Sequence, residues 1–460
     1  MNKIHIIGTG CCGFLRAYDM FKNYIPIVYK GGKRKFQNGF EIWDHSSGLI
    51  WNSEDLPEEE RMRRASMEGG ISNITHSYLP YVTEFISIDP SVKFLCLKGR
   101  RDHSIRSLLT SWGYRNPCYV KDRSLGVGRN RYPVDQFPDY SFCGNELEAT
   151  TKYWDTYYQK AEDLQKKYPD NFIIVDSVDF FSNEEYQNSI KEFLNVRIPF
   201  YNSPVDLDSF KISTTLHGGL GNNLFQMAEV ISFCSKYNLP DPFFGTWNLL
   251  NNEKFPPFYN ADRLLGGHEG SHEEIKNLFP NLDWRGDLEA DFDVKFVIND
   301  MFRFGDITNL DSILEKLHFK IEKKLNFASL HFRFCTRPAD DHVNGIVRDD
   351  FYQRVFDSLP KNVEILVFSD DEGKAAEKIH QFKNRFDRNF TLMGGNAFRN
   401  LKDMASCEYH ILHVSTFSFW GSFLGSENPI LEGSKVYYPS AFVAGHGDKM
   451  ISPILNWNLM

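Results

Sequence analysis

Between Phe327 and Tyr438, short apolar runs alternate with amphipathic ones, and this rhythm restricts the fold more than any other feature of the chain. Phe327–Phe334 and Val363–Phe368 read as strands, each followed by a helical run, over Asp349–Leu359 and Glu372–Phe382. Ala397–Cys407 then reads as a helix, His410–Ser415 as a strand, Phe417–Leu424 as a helix and Ser434–Tyr438 as a last strand. Such alternation predicts an α/β fold with a parallel sheet, in which ligands bind outside the carboxyl ends of the strands. Polar residues stand at those ends: His331 and Arg333, then Asp370 and Asp371, then Ser415 and Thr416 beside Phe417.

Upstream, His217-Gly-Gly-Leu-Gly-Asn-Asn-Leu-Phe-Gln226 follows a β-like run, Lys211–Leu216, and opens a helical pattern with Leu224, Ala228, Ile231 and Cys234 on one face. Gly218, Gly219 and Gly221 allow a sharp turn and close approach of a ligand, and the N–H groups of the helix start favour a phosphate. An ordinary glycine-rich strand–helix turn has the same features. The motif Gly-Gly-Leu-Gly-Asn-Asn-Leu-Phe-Gln resembles the opening motif of the α1,2-fucosyltransferases, usually Gly-Gly-Leu-Gly-Asn-Gln-Leu-Phe-Gln, and three later segments resemble that family in the same order. His331-Phe-Arg333 resembles its His-x-Arg-Arg-Gly-Asp motif, with Phe334, Cys335 and Thr336 as departures. Phe368-Ser-Asp-Asp371 matches positions that bind the nucleotide. Asp403-Met-Ala-Ser-Cys407 followed by His413-Val-Ser-Thr-Phe-Ser-Phe-Trp420 resembles the Asn-Ser-Ser-Phe-Ser-Trp-Trp ending, with Val414 in place of asparagine.

The resemblance implies a GT-B-like glycosyltransferase module over residues 211–460, with a Rossmann-type donor lobe. It implies a nucleotide-sugar donor, GDP-fucose, and a glycan acceptor of galactoside type, joined in α1,2 linkage with inversion. It implies neither a metal nor a tightly bound cofactor. Asn222 and the surrounding glycines would shape the donor cleft, and Ser415–Phe417 would close around the donor. Arg333 would hold the departing diphosphate through charge-assisted hydrogen bonds. A carboxylate at Asp370 or Asp371 can accept from both N1–H and the exocyclic amine of guanine, while helix capping is the competing role for either. Inverting transfer to a hydroxyl benefits from a base. Asp341 stands where a related α1,6-fucosyltransferase places its acidic residue; Asp340 and His342 are equally exposed alternatives, and His331 belongs with Arg333 in the catalytic set.

The first part of the chain, residues 1–195, reads as a separate α/β domain, joined through a linker at 196–210 that Pro199 and Pro204 interrupt. Gly8-Thr-Gly-Cys-Cys-Gly13 follows a buried strand at Lys3–Ile7 and opens a helical run, which is the dinucleotide pattern Gly-x-Gly-x-x-Gly. The acidic residue that should follow the second strand is replaced by Lys30, Lys33, Arg34 and Lys35. A later apolar strand ends at Lys98, where Arg100, Arg101 and Arg106 open a helix carrying Ser104 and Ser107, a receptor for a phosphate or a solvated helix face. Together these loops resemble the sulfotransferase fold, a P-loop-type three-layer α/β domain. That resemblance implies the donor PAPS at Gly8, Thr9, Gly10 and Gly13, with Arg100, Arg101 and Ser107 toward its 3′-phosphate. Cys11 and Cys12 stand where that family has lysine and hydroxyl residues.

The net charge of −9 over 460 residues argues against a broad surface for nucleic acid or membrane. Ile4-His-Ile-Ile7 is too short for a membrane anchor, and eight scattered cysteines suggest reduced thiols, so a cytoplasmic protein is expected. Two rival functions stand beside fucosyl transfer. One is a sulfotransferase or NAD(P)-dependent oxidoreductase centred on Gly8–Gly13, and the other a non-catalytic glycan-binding protein derived from a transferase.

Overall fold

Strands in the middle of parallel sheets are covered on both faces, and therefore read as unbroken apolar runs. Ile4–Ile7 (β1) is such a run and is buried at every position. The computed structural model describes residues 3–10, 12–29, 34–37, 40–43, 49–68, 72–113, 116–120, 134–203, 212–214, 220–245, 271–285, 294–296, 310–334, 347, 349–413, 415–426, 434–439 and 457–460. The chain divides into two units, Met1–Phe210 and Lys211–Met460.

In the first unit β1 leads into a helix at Phe14–Phe21 (α1) and a strand at Ile27–Tyr29 (β2). An antiparallel pair, Arg34–Gln37 (β3) and Phe40–Trp43 (β4), precedes a helix at Glu58–Glu68 (α2) and a strand at Ser72–Ile74 (β5). Then come Val82–Ile88 (α3), Lys93–Lys98 (β6), Arg101–Trp112 (α4), the long helix Glu146–Lys167 (α5), Phe172–Asp176 (β7), Ser177–Ser182 (α6) and Glu184–Leu194 (α7). The parallel sheet runs β2-β5-β1-β6-β7. Numbered along the chain this is 2-3-1-4-5, which is neither the 3-2-1-4-5-6 order of the dinucleotide fold nor the 2-1-3-4-5 flavodoxin order. Connections diverge on either side of β1 and β6, so their carboxyl ends flank the switch point of this sheet. Residues 196–203, expected as linker, lie against α6 and α7: the Ser203 N–H donates to Phe181 at 2.9 Å and the Tyr201 N–H to Gln187 Oε1 at 2.9 Å.

The second unit contains two parallel sheets. One is built from Ile212–Thr214 (β8), Phe243–Gly245 (β9), Asp283–Arg285 (β10) and Val294–Phe296 (β11), with helices at Leu220–Lys236 (α8) and Ser271–Leu278 (α9). After Leu310–Lys316 (α10), the other follows as Lys324–Phe332 (β12), Asp349–Ser358 (α11), Glu364–Ser369 (β13), Glu372–Arg385 (α12) and Phe390–Leu392 (β14). It continues through Ala397–Ala405 (α13), Cys407–Ile411 (β15), Thr416–Ser426 (α14), Lys435–Tyr438 (β16) and Asn458–Leu459 (β17). The orders are β10-β9-β8-β11 and β14-β13-β12-β15-β16-β17. Along the chain these read 3-2-1-4 and 3-2-1-4-5-6, so the larger sheet has the strand order of the doubly wound dinucleotide fold. An apolar core runs beneath both sheets, from Leu224 and Ile231 on α8 to Leu330 on β12 and Trp420 on α14, with a smaller cluster of Leu366, Phe368, Met404 and Cys407 beside it.

The expected strand His410–Ser415 differs from the one observed. Lys324 pairs with Cys407 across the parallel ladder, and the Lys324 N–H donates to the Ser406 carbonyl at 2.7 Å. This pulls residues 407–409 into the sheet, so β15 begins three residues early and stops at Ile411. His413 and Ser415 therefore stand beyond the strand, in the turn that enters α14.

Candidate functional site

In a sheet of order 3-2-1-4-5-6, the connections diverge between the first and fourth strands, here β12 and β15. Arg333 directly follows β12, and the turn from His413 to Thr416 follows β15. The sequence candidates at these two strand ends thus meet at the place where doubly wound sheets take their ligands. Asp370 and Asp371 close β13, which neighbours β12 on the other side.

The glycine motif reaches the same corner. A Cβ on Gly221 would lie 2.6 Å from the Phe417 nitrogen and 2.7 Å from the Thr416 carbonyl carbon. Both are backbone atoms at the start of α14, so a side chain at 221 would displace one helix from the other. Beside it, the Thr416 hydroxyl donates to Asn222 Oδ1 at 2.8 Å, and Phe225 packs against Phe419 and Trp420, with ring centroids 5.0 Å apart in each pair. Gly218 and Gly219 lie outside the described residues, as do Asp341 and its alternatives Asp340 and His342.

Phe417 links this contact to the β12 end, with its ring centroid 5.4 Å from that of His331. His331 is 5 % exposed, and its imidazole is held well below its ordinary pKa by burial, then by His413 and Arg333. His413 is pushed down to about 4, by burial first and by the Arg333 charge second. Among the described residues neither imidazole Nδ1 has a hydrogen-bond partner, and both are shielded from water. The Arg333 side chain is exposed, and among the described residues no carboxylate forms an ion pair with it. At neutral pH the corner therefore presents one permanent cation flanked by two uncharged imidazoles.

The two aspartates have separate surroundings. Asp371 is the N-cap of α12, accepting from the Lys374 N–H at 3.1 Å, with the Lys374 ammonium 3.5 Å away. Asp370 accepts from the Phe334 N–H at 2.8 Å, which ties the end of β13 to the residue after Arg333. Its carboxyl is raised above the usual range by partial burial, with the Phe334 N–H and Arg333 pulling the other way, although solvent still reaches its edge. The capping role thus falls to Asp371, while Asp370 faces Arg333. Ser415 Oγ accepts from the Phe417 N–H at 3.2 Å, which shapes the first turn of α14.

In the first unit the two expected loops also flank a switch point, and there two of the cations, Lys98 and Arg101, are paired with carboxylates. Arg101 donates twice to Asp155, at 2.9 and 2.8 Å, and its guanidinium lies over Trp154. Lys98 pairs with Glu162 at 3.2 Å. Ser107 is 2 % exposed, inside α4, whereas Arg100 is exposed at the helix start. Thr9 is buried, its hydroxyl 3.4 Å from that of Tyr158, which itself donates to the Leu97 carbonyl at 2.6 Å. Gly8 lies against Leu97, where a Cβ would come 2.8 Å from the carbonyl oxygen; Gly10 and Gly13 have positive φ, and Gly13 caps α1 at φ 101°. An L side chain would be strained there.

Sequence reasoning passed over His413, because it was assigned to the interior of a strand. Its signal was the polar residue inside an otherwise apolar run, Ile411-Leu-His-Val414. Among the described residues no helix is long and apolar enough to cross a membrane.

Comparison with known proteins falls on the same half of the chain. An O-antigen biosynthesis glycosyltransferase, WbnK of Escherichia coli, is 24% identical over 238 residues, spanning 49% of this chain and 74% of that protein. The family model described as glycosyl transferase family 11 matches residues 295–458, an interval that holds every strand of the larger sheet in the second unit except the last residue of β17. The later motifs and the switch point lie inside the matched interval, and the region 295–458 is similar to glycosyl transferase family 11, the family of the α1,2-fucosyltransferases.

Proposed function

We propose that the second unit transfers fucose from GDP-fucose to a hydroxyl of a glycan acceptor, of galactoside type and in α1,2 linkage, by single displacement with inversion. The observation that carries this reading is Arg333, a cation unpaired among the described residues at the switch point of the larger sheet. There its guanidinium would neutralise the charge that grows on the diphosphate as the sugar leaves, an interaction stronger in the transition state than before it. Asp370, at the neighbouring strand end, suits the donor edge of guanine. The glycine motif, with Asn222 bonded to Thr416, would hold the two sides of a GT-B-type cleft at fixed spacing, and Asp341 would act as base. The two sheets of related strand order in one unit support the GT-B architecture.

GDP release from GDP-fucose in the presence of galactoside acceptors tests this reading. Arg333→Ala should reduce turnover roughly 10²–10³-fold. Undiminished turnover in that variant would remove Arg333 from the reaction, and absence of turnover in the parent protein with every acceptor would remove the reading.

For the first unit the switch point between β1 and β6 supports a nucleotide site, since Gly8–Gly13 and Gly99–Arg101 both leave it. PAPS is the ligand we propose there, and the strand order gives no support to NAD(P). Calorimetry of the whole chain saturated with GDP, titrated with PAPS and then NADPH, decides between them, and binding of neither ends this second reading.

A further inference from the structure

The reaction proposed above uses Arg333, yet the structure sets a further side chain at the same corner. His413 lies two residues past β15, across the switch point from Arg333. Its backbone is fixed by the helix it precedes: its carbonyl accepts from the Ser415 N–H at 2.8 Å and from the Ser418 hydroxyl at 2.7 Å. Its ring meets that of Phe332 edge-on, with centroids 6.4 Å apart. Buried imidazole nitrogens usually have a partner, and among the described residues two without one stand at the two strand ends that bound the switch point, His331 Nδ1 on β12 and His413 Nδ1 just past β15. His410, inside β15, contacts Ser329 Oγ through its Nδ1 at 3.1 Å and leaves only its Nε2 unpartnered.

We propose that His413 is a binding residue for the leaving diphosphate, completing with His331 and Arg333 a three-sided anion pocket, and that it takes up a proton from solvent as the anion arrives. The role rests on the reading of the second unit as a nucleotide-sugar transferase. The chemistry follows from the surroundings. Without an anion, burial and then the Arg333 charge disfavour the imidazolium. A diphosphate offsets the Arg333 charge and supplies acceptors, which reverses the balance and turns Nδ1 from an orphan into a donor. Among the described residues, the other ionisable groups at this corner are His331 and Arg333 at the β12 end and Asp370 at the β13 end, and the first turn of α14 has no ionisable side chain.

The test is calorimetry on the full chain at pH 7, with GDP and separately with inorganic pyrophosphate, each in two buffers of different ionisation enthalpy. The parent protein should bind with net proton uptake, and His413→Gln should lower affinity about tenfold and reduce the uptake. Equal affinity and equal uptake in the variant would overturn the proposal. If GDP fails to bind while pyrophosphate binds in a His413-dependent way, the guanine donor is wrong and the inference about His413 stands. If GDP binding depends on Arg333 and not on His413, the donor stands and this inference falls. Should His413→Gln fold poorly, exchange of the imidazole C2 hydrogen, followed by mass spectrometry on the parent protein, reads the same site. A pKa raised at His413 by pyrophosphate supports the proposal, and an unchanged one overturns it.

Discussion

The two units each carry a parallel sheet with cationic side chains beside its switch point, and they treat those cations in opposite ways. In the first, Arg101 is held in a two-point pair with Asp155 and Lys98 pairs with Glu162, both carboxylates coming from α5. In the second, Arg333 has no carboxylate paired with it among the described residues, and the nearby imidazoles keep their Nδ1 atoms unbonded. Topology creates a switch point in both, but topology alone does not make an anion site. What separates Arg101 from Arg333 is a carboxylate within ion-pair distance, which α5 supplies to the first.

Four experiments press on this contrast. The largest effect belongs to Arg333→Ala, whose expected loss of 10²–10³-fold in turnover is about 3–4 kcal/mol of transition-state stabilisation. A loss confined to KM would show that the cation binds the ground state and transition state alike. Next comes Gly221→Ala. Its new methyl would overlap the Thr416–Phe417 backbone, so the second unit should lose about 1–3 kcal/mol, read as a lowered melting temperature. An unchanged melting temperature would mean that the two helices separate freely.

The third is a pH series. His413 and His410 titrate near 4 and 3 in the folded chain, against 6.5 for a free imidazole, so between those limits the unfolded chain binds protons that the native one does not. Their contribution to stability is complete above about pH 6.5 and is lost as pH falls toward the folded values. Melting should therefore drop by several degrees between pH 7 and 5, and His413→Gln should flatten the drop. A flat profile in the parent protein would contradict the buried neutral imidazoles. The smallest effect tests the first unit. Asp155→Asn releases Arg101 at the cost of an exposed pair worth no more than about 1 kcal/mol, and should improve pyrophosphate binding there a few-fold. No improvement would place the obstacle in the loop backbone rather than in the pairing.

The larger sheet of the second unit was readable because its central strands are long and apolar. Four consecutive residues of β13, Ile365–Phe368, are fully enclosed, and the polar residue that ends such a run is conspicuous, as Arg333 and Asp370 were. The short strands were not readable. Ser72-Asn-Ile74 has a polar centre yet lies buried, since Asn73 finds Tyr78 at 2.8 Å and the Ile4 N–H bonds to Ser72. No local pattern announces a partner 68 residues away, as Ile4 is from Ser72. The division of labour between Asp370 and Asp371 was equally hidden, because both can cap a helix and only the backbone decides which one does. His413 escaped for a related reason: one register change in β15 moved it from a strand to the rim.

Where Gly221 meets Thr416 and Phe417, two helices touch through bare main chain. An interval set by main-chain atoms cannot be retuned by exchanging one side chain for another, as an interval set by leucines could. Variation in this protein would accordingly have to leave that seam alone and work through other positions.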